Sequence, residues 1–394
     1  MPFEKVSAMD EKTRFIADYL EQRYSHIDLC QMYGISRPTG YKWIRRYESE
    51  GAAGLIERSR RPTSCPHQTP EEIVSAIIAL RRKYGWGPKK LLRRLSDRFP
   101  DLPAKSTCDA ILSRHGLTKK KRRRSQIGHP GNQAVDATAP NQVWAADFKG
   151  QFKTRDGRYC YPLTVTDNYS RYLLGCQALL STHIGEAKPV FKRLFSEFGL
   201  PDQILTDNGA PFAARSLGRL SQLSAWWVQL GIRPIRIEPG KPQQNGRHER
   251  FHRTLKDRTA RPPSGNKSAQ QRRFNRFIKE YNEERPHEAL GQETPASFYH
   301  PSSRTLPAQP PALNYPDHWE KRKVAANSSM RWHTKAVQVS MPCAGQYIGL
   351  EEIDEGIWNV YLGAVRIGIF LEEELRIADI HSHKKCKSCT KANL

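Results

Sequence analysis

Residues 205–212, LTDNGAPF, place polar residues directly after an apolar run. The apolar pair that ends at Leu205 is typical of a buried strand. Asp207, Asn208 and Gly209 are common turn formers, because glycine adopts positive φ freely and Asx side chains bond their own backbone. A turn alone accounts for this stretch. A functional role would require further acidic residues in comparable settings, and the rest of the chain contains them.

The size and charge of the chain limit the classes of protein it can belong to. At roughly 100–200 residues per domain, 394 residues predict two to four domains. Lysine and arginine number 64 against 40 acidic residues, a formal net charge of +24, which favours an anionic polymer as partner. Nucleic acid is favoured over a membrane, because there is no window of about 18 uncharged apolar residues and no apolar stretch of a signal peptide. We therefore expect a cytoplasmic protein that associates with the nucleoid by binding DNA.

Residues 8–60 predict an all-α helix-turn-helix domain. In the run IDLCQMYGISRPTGYKWIRRYE, Gly34 follows Cys30 at a turn, and Ser36 can cap a second helix. That helix would enter a major groove with four basic residues, Arg37, Lys42, Arg45 and Arg46. Gly40 departs from the usual pattern, which has an apolar packing residue at this position. The alternative is a helical hairpin with a solvated basic face.

A second all-α helix-turn-helix domain is predicted at residues 68–118, after the basic linker ERSRRPTSCPHQTP. Ile73 and Ile77 begin an apolar stripe, and Gly116 suits the end of the last helix. Residues 119–138 form a basic linker with six consecutive cations, Lys119, Lys120, Lys121, Arg122, Arg123 and Arg124. Because like charges repel one another, they predict an extended arm along DNA phosphates. The alternative is a solvated tether that contacts nothing.

Residues 139–300 predict a central α/β domain with a mixed sheet. NQVWAADFKGQF and YCYPLTVTDNYSRYLLGCQAL are aromatic and β-branched, as in an antiparallel meander. Helices then alternate with the strands DQILTDNG and RPIRIEP, including a long helix through RLSQLSAWWVQLG. This order of elements predicts helices on the faces of the sheet.

The C-terminal part predicts a small domain and a tail. Short strands such as KAVQVS, QYIGLEEI, IWNVYL and VRIGIF predict a small SH3-like β-barrel at residues 325–380. The tail at residues 381–394 contains His381, His383, Cys386 and Cys389. These four residues could bind zinc, but their spacing fits no common zinc finger, and a disordered end is the alternative. The eight cysteines lack the density of a secreted disulfide framework, so we expect them to be reduced.

Three acidic residues of the central domain share a structural setting. Asp147 lies in the strand VWAADFKG, Asp207 ends QILTDNG, and Glu249 lies on the helix after QQNGRHER, with 59 and 41 residues between them. A sheet with a covering helix could bring the three together. Clustered carboxylates repel one another unless cations lie between them, and magnesium prefers such oxygen ligands. Two divalent ions about 4 Å apart can then assist phosphodiester cleavage.

The motifs WAADFKG, TDNYSR, ILTDNGAPF, PGKPQQNGRHERFHRTLK and YNEERPHEALGQETPASFY together resemble the DDE transposases of bacterial insertion sequences, in the retroviral-integrase superfamily. The resemblance covers residues from about 140 to 300, and the flanking helix-turn-helix pair and small barrel are similar to those of single-frame members. It implies an RNase H-like core in which Asp147, Asp207 and Glu249 are catalytic and bind metal. The interval before Glu249 is longer than is commonest in the family, which predicts an insertion around AARSLGRLSQLSAWW.

Other residues near these motifs have alternative interpretations. Asp167 in TDNYSR imitates the second acidic motif, but it falls in a predicted hairpin, and the resemblance implies a structural role. His248 and His252 flank Glu249 and could contact DNA or orient a water, or could be solvated or packed. The basic residues of this helix would contact phosphates or form a solvated face: Arg247, Arg250, Arg253 and Lys256.

These observations predict a DNA transposase that binds the terminal inverted repeats of a mobile element. Water would cut a strand to expose a 3′-OH, and this hydroxyl would attack target DNA in the same site. We expect two Mg²⁺ ions, with Mn²⁺ as a substitute, and double-stranded DNA as partner. Two ends must be joined, which implies a dimer or tetramer. The alternatives are a catalytically inactive DNA-binding regulator and an RNase H-like nuclease without strand transfer.

Overall fold

The computed structural model describes residues 7–59, 68–118, 135–238, 240–241, 244 and 246–380. The chain divides into two compact units, Met1–Pro70 and Glu71–Leu394. The predicted basic arm, Lys119 to Arg124, and the predicted zinc ligands of the tail lie outside the described residues. In the described part, no helix is both long enough and apolar enough to cross a bilayer. The cysteines of these ranges have free, buried thiols: Cys30, Cys108, Cys160, Cys176 and Cys343.

The first unit is a helix-turn-helix fold, which confirms the prediction. Its helices are α1 (Ala8–Leu20), α2 (His26–Met32) and α3 (Arg37–Glu50). Ser7 and Asp10 form a capping box at α1, and the Ser25 side chain accepts the Asp28 backbone N–H at α2, so both helix starts are satisfied. The apolar faces of the helices enclose a core of Phe15, Ile16, Leu29, Cys30, Trp43, Ile44 and Leu55.

Gly40 lies where α3 packs against α2. It is buried, and a Cβ added to it would lie 2.5 Å from Cys30 Sγ and 2.9 Å from His26 Nε2. These distances are too short for any side chain. The departure from the usual helix-turn-helix pattern therefore reflects the close approach of two helices.

A second helix-turn-helix opens the larger unit. Its helices are α4 (Glu71–Tyr84), α5 (Pro88–Leu95) and α6 (Lys105–Arg114). Ile77, Leu91, Cys108 and Ile111 are fully buried between them. The helices share a compact core of their own, which confirms the predicted fold of this segment.

A mixed six-stranded sheet forms the centre of the larger unit. Its strands are β1 (Val143–Phe148), β2 (Phe152–Lys153), β3 (Tyr159–Asp167), β4 (Leu173–Leu179), β5 (Gln203–Thr206) and β6 (Arg233–Arg236). β3 pairs antiparallel with β1 and β4, as the predicted meander requires, and short β2 also lies beside β3. β5 pairs parallel with both β1 and β6, so the sheet is mixed.

Helices cover both faces of this sheet, in agreement with the prediction. They are α7 (Ile184–Phe198), α8 (Gln222–Gln229), α9 (Gly246–Leu255) and α10 (Lys267–Lys279). Phe191 of α7 and Trp227 of α8 are fully buried in the cluster that contains Leu163. Phe251 of α9 and Phe274 of α10 belong to a separate cluster with other sheet residues. Alternate residues of β3 thus face different layers.

The predicted long helix through RLSQLSAWWVQLG is wrong. Residues Leu217–Arg219 form a 3-10 turn, and α8 begins only at Gln222. Ser221 caps α8, because its side chain accepts the Ser224 backbone N–H while the Ser224 hydroxyl accepts the Ser221 N–H. The residues before this cap form a loop that an isolated bridge between Ala213 and Leu220 closes.

The predicted closed barrel at the C-terminus is also wrong. The strands are β7 (Glu320–Lys323), β8 (Ser329–Trp332), β9 (Lys335–Gln338), β10 (Tyr347–Asp354), β11 (Ile357–Leu362), β12 (Val365–Leu371) and β13 (Arg376–Asp379). β13, β12, β11, β10 and β7 form an open antiparallel sheet in that order, and β8 and β9 form a separate hairpin. Within the described residues β7 and β13 remain edges. Apart from one isolated bridge, Val324 to Met330, no strand pairing joins hairpin and sheet.

The C-terminal sheet shares a core with the central domain. Leu220 and Ala225 are buried in the same cluster as Ile348 and Val360. The Gly218 backbone N–H donates to Asp379 Oδ1 at 3.3 Å, and Arg236 Nη1 donates to the Gly218 carbonyl at 3.0 Å. The loop before α8 therefore links the two parts.

Candidate active site and DNA-binding surfaces

Asp147 and Asp207 lie at the carboxyl ends of neighbouring parallel strands. The register of β1 and β5 pairs Val143 with Gln203 and continues to Ala145 with Leu205. Asp147 lies two residues after Ala145 on β1, and Asp207 lies two residues after Leu205, directly past the end of β5. Because side chains alternate along a strand, both carboxylates reach the same edge of the sheet on the same face.

The turn after β5 fixes the position of Asp207. The Gly209 backbone N–H donates to Asp207 Oδ1 at 3.0 Å, and Asn208 Nδ2 donates to the Ile237 carbonyl at 2.8 Å. A Cβ added to Gly209 would lie 3.1 Å from Asp207 Oδ2, which is unusually close. The stretch LTDNGAPF is thus a turn that also holds a carboxylate in place.

The charge of Glu249 acts on Asp147. Glu249 is exposed in the first turn of α9. Burial and the Asp207 carboxylate raise the pKa of Asp147 to about 7, and Glu249 acts in the same direction, while Lys149 opposes the shift. Burial, and to a lesser degree these negative charges, therefore disfavour the ionised form of Asp147.

Two buried histidines of α9 contact threonines of β3, the strand that pairs with the strand of Asp147. Thr164 Oγ1 lies 2.7 Å from His248 Nε2 and 2.8 Å from His252 Nε2, and Thr166 Oγ1 lies 3.2 Å from His248 Nδ1. Sequence reasoning did not single out the two threonines. Their alternation in CYPLTVTD, opposite histidines four residues apart on a helix, is the signal that could have identified them.

Both histidines are neutral. Burial lowers the pKa of His248 to about 3, and burial together with His248 and Lys149 lowers that of His252 to about 2. His252 Nδ1 lies 3.6 Å from Asp147 Oδ2. Because the imidazole is uncharged, this is a polar contact and not a salt bridge.

The three predicted acids have the donor chemistry that suits a divalent cation. Asp147, Asp207 and Glu249 offer hard carboxylate oxygens, which Mg²⁺ prefers. Burial first, and then the neighbouring carboxylates, raise the pKa of Asp147, and a bound cation would stabilise its ionised form. Among the described residues, the group whose ligand atoms all lie within 4.8 Å of one another is Asp147, His248 and His252, and Asp207 and Glu249 are not part of it. Imidazole nitrogens suit zinc and other transition metals more than magnesium.

Asp167 has a structural role. Its side chain is buried, and Oδ1 accepts the Asn141 backbone N–H at 2.8 Å. Oδ2 accepts the backbone N–H and the hydroxyl of Ser170, both at 2.7 Å. These bonds hold the hairpin between β3 and β4.

The predicted DNA-contact residues of the first unit cluster on α3. Arg37, Lys42 and Arg45 line one surface cleft together with Tyr41. Arg46 lies apart from this cleft, with its guanidinium carbon 5.1 Å from the centre of the Trp43 ring. The structure therefore brings three of the four predicted cations together.

The predicted basic residues of α9 differ in exposure. Arg250, Arg253 and Lys256 are exposed. Arg247 is half-buried, and its guanidinium approaches the Asn168 carbonyl at 3.5 Å. Three of the four can therefore meet a partner in solution without rearrangement.

Comparisons with known proteins agree with this architecture. Residues 137–242 and 230–295 match integrase core domain families. Residues 11–63 match a helix-turn-helix domain, and residues 39–112 match a homeodomain-like domain.

Two relatives come from bacterial insertion elements. The chain is 26% identical over 254 residues to the 39.2 kDa protein of insertion element IS476 of Xanthomonas euvesicatoria, covering 62% of this chain and 70% of the relative. It is 25% identical over 241 residues to the 31.7 kDa protein of insertion element IS407 of Burkholderia multivorans, covering 59% and 82%. The Gag-Pol polyprotein of avian reticuloendotheliosis virus is 30% identical over 132 residues, which are 33% of this chain and 11% of the polyprotein.

Solved structures of retroviral integrases are similar at low TM-scores. The HTLV-2 integrase catalytic core domain in complex with magnesium has a TM-score of 0.34 and 17% identity, covering 42% of this chain and all of that chain. The simian T-cell lymphotropic virus intasome in complex with a PP2A regulatory subunit has a TM-score of 0.37 and 16% identity, covering 74% and 98%.

The integrase core places the protein among enzymes of the polynucleotidyl transferase type. Helix-turn-helix domains precede that core, and two of the relatives come from insertion elements. Together these features support a DNA transposase of a bacterial insertion sequence.

Proposed function

We propose that the protein cuts the ends of a mobile DNA element and joins them to target DNA, with Asp147, Asp207 and Glu249 as its catalytic acids. The observation that carries this proposal is the register of β1 and β5, which sets both aspartates at one edge of the sheet. The influence of Glu249 on the pKa of Asp147 supports a third acid from α9. The three carboxylates would hold divalent metal, with two Mg²⁺ ions expected and Mn²⁺ as a substitute.

The chemistry would be two successive phosphoryl transfers in one site. Divalent ions bound there would activate the attacking oxygen and neutralise charge on the departing one. Asp147 and Asp207 would act from a rigid sheet, and Glu249 from the start of α9. The Gly209 turn holds Asp207 with a backbone N–H, so the carboxylate is positioned before substrate arrives.

The DNA would be held by both helix-turn-helix domains and by basic surfaces near the acids. A cleft of about 690 Å³ adjoins Asn208 and is lined by Arg215 and Arg219, which would attract phosphates. The exposed cations of α9 would add to this attraction. Joining two element ends requires two active sites, so we propose a dimer or tetramer on DNA.

The test is a joining assay with a duplex that carries a candidate element end, a supercoiled plasmid and Mg²⁺. Asp207→Asn should bind the end duplex like the wild type but lose both cleavage and joining. Asp202→Asn is the matched control, because Asp202 precedes the same strand at its other end and pairs with Arg304 on the surface. This control should retain both reactions.

Sequencing of the joints separates the proposal from its two rivals. End binding without any strand cleavage by the folded wild type would indicate a regulator. Cleaved ends without joints would indicate a nuclease. Joints formed by Asp207→Asn at the wild-type rate would remove Asp207 from the active site.

A further inference from the structure

Thr164 lies at the centre of a hydrogen-bond network whose donors and acceptors can be assigned. Its side chain is fully buried, and Oγ1 contacts the Asp147 carbonyl at 3.0 Å, His248 Nε2 at 2.7 Å and His252 Nε2 at 2.8 Å. A threonine hydroxyl has one proton to donate and two lone pairs that accept. The Asp147 carbonyl can only accept. All three contacts are satisfied together when the hydroxyl donates to the carbonyl and both imidazoles donate to the hydroxyl.

This assignment determines the tautomer of each histidine. A neutral imidazole carries one N–H, so donation from Nε2 leaves a lone pair on Nδ1. For His248 that lone pair accepts the Thr166 hydroxyl, at 3.2 Å. For His252 the lone pair is directed to the active site, where Nδ1 lies 3.6 Å from Asp147 Oδ2.

The distance between His252 and Asp147 agrees with the assignment. An N–H that donates to a carboxylate approaches within about 2.7–2.9 Å, because the acceptor is charged. The observed 3.6 Å is too long for such a bond, whereas the contacts of both imidazoles with Thr164 are short. The geometry therefore favours a His252 ring that presents no proton to Asp147.

We propose that Thr164 is a positioning residue of the active site, which acts on Asp147 through the tautomer of His252. By keeping the His252 proton on Nε2, Thr164 prevents an imidazole N–H from competing with a divalent cation for Asp147 Oδ2. Without the hydroxyl, His252 would gain a bond by moving its proton to Nδ1 and donating it to the carboxylate. The inference rests on the proposed role of Asp147 as a cation ligand.

The tautomer can be observed without any reaction. Full-length protein labelled with ¹⁵N in histidine gives separate signals for protonated and unprotonated ring nitrogens, and loss of one set in His252→Gln assigns His252. The wild type should show a protonated Nε2 and an unprotonated Nδ1 at His252. Thr164→Val, which keeps the shape of the side chain and removes the hydroxyl, should show the reverse. A protonated Nδ1 in the wild type would overturn the proposal, even if Thr164→Val does not fold.

The effect of Thr164 on cation binding is measured by titration calorimetry with Mn²⁺ as the probe. The binding heat that disappears in Asp147→Asn is assigned to the Asp147 site. Thr164→Val should weaken this binding about tenfold, the lower end of what outer-shell partners contribute, while Thr164→Ser should stay near the wild type. His252→Gln should also bind Mn²⁺ nearly normally, because its amide can donate to Thr164 and offers Asp147 no proton. Unchanged binding by folded Thr164→Val, or a larger loss in His252→Gln, would refute the role.

These measurements are independent of transposition. An inactive wild type with the expected tautomer and Mn²⁺ response would refute the proposed function and leave the positioning role of Thr164 intact. If the wild type is active and Thr164→Val changes neither the tautomer of His252 nor the binding of Mn²⁺, the positioning role alone is refuted.

Discussion

The two helix-turn-helix units are built alike and held differently. The first forms a compact unit within Met1–Pro70, and the second belongs to the compact unit that includes the integrase core. Cations of the first unit gather on α3, where Arg37, Lys42 and Arg45 line one cleft. Cations of the second unit pair with glutamates of the core: Lys89 with Glu288 at 2.6 Å and Arg93 with Glu293 at 2.9 Å.

These pairs are part of a larger docking surface, which the segments before and after α10 provide. Tyr84 donates its hydroxyl to Glu284 at 2.5 Å, and Arg258 Nη1 donates to the Lys83 carbonyl at 3.1 Å. Positive charge on a helix therefore does not by itself mark a DNA-binding surface. In the second unit α5 serves as the docking helix, so α6 is the helix we expect to meet DNA.

The largest expected effect comes from cavities made separately in the compact unit Met1–Pro70 and in the compact unit Glu71–Leu394. Leu29 in the first and Leu91 in the second are buried almost completely, at 1% and 0% exposure. Each Leu→Ala change should destabilise its own unit by about 2–5 kcal/mol, because it leaves a cavity. Calorimetry should show Leu29→Ala lowering only the transition of the first unit, and Leu91→Ala only that of the larger one. Equal shifts of one common transition in both variants would contradict the division.

A smaller effect is expected from overpacking the first unit. Gly40→Ala should cost about 1–3 kcal/mol, because the new methyl group meets Cys30 and His26. Gly87→Ala in the second unit is the matched control, since a Cβ there meets nothing within 4 Å. We expect less than about 1 kcal/mol for the control, because only the cap of α5 changes. Urea unfolding measures both, and an equal loss would remove the packing argument.

The docking of the second unit should depend weakly on each ion pair. Arg93 forms a forked pair with both oxygens of Glu293, at 2.9 and 3.1 Å, and the two side chains are 35% and 44% exposed. Partial exposure limits the coupling free energy to about 0.5–1 kcal/mol. A double-mutant cycle with Arg93→Ala and Glu293→Ala should give this value, and high salt should reduce it. A coupling of zero at low salt would indicate that the pair does not hold the unit.

The smallest effect distinguishes cations that bind DNA from cations that dock. Lys42→Ala should weaken binding of an end duplex and reduce the salt dependence by about one phosphate contact. Lys89→Ala should leave that slope unchanged, because Lys89 pairs with Glu288. The measurement is the slope of log affinity against log salt for each variant. A lower slope in Lys89→Ala alone would reverse the roles of the two units.

Local sequence rules predicted most of the fold. Caps, turns and periodicity indicated the helix-turn-helix units, and the order of strands and helices indicated a mixed sheet. The long helix failed because Ser221 offers a cap in the middle of an apolar pattern, and the cap prevails. The prediction of a closed barrel failed because closure requires β7 and β13 to pair, and these strands are opposite edges of the sheet.

The candidate site could be predicted in part. Asp147 and Asp207 stand at strand ends, and such a position follows from the sequence once the strands are recognised. Glu249 raises the pKa of Asp147, and its role as the third catalytic acid is a prediction from the sequence. The contacts of Thr164 with His248 and His252 depend on how closely α9 lies on β3, and no local pattern gives that spacing.

The loop that precedes α8 has a practical consequence for dissecting the protein. This loop ends at Leu220, which is buried in the same core as the C-terminal sheet. Ala225 and Val228 of α8 belong to that core as well. In a fragment that stops at residue 300, these side chains would be exposed to water. Such an exposed apolar surface promotes aggregation. Recombinant work on the catalytic half should therefore retain the chain through Asp379, whose carboxylate secures Gly218.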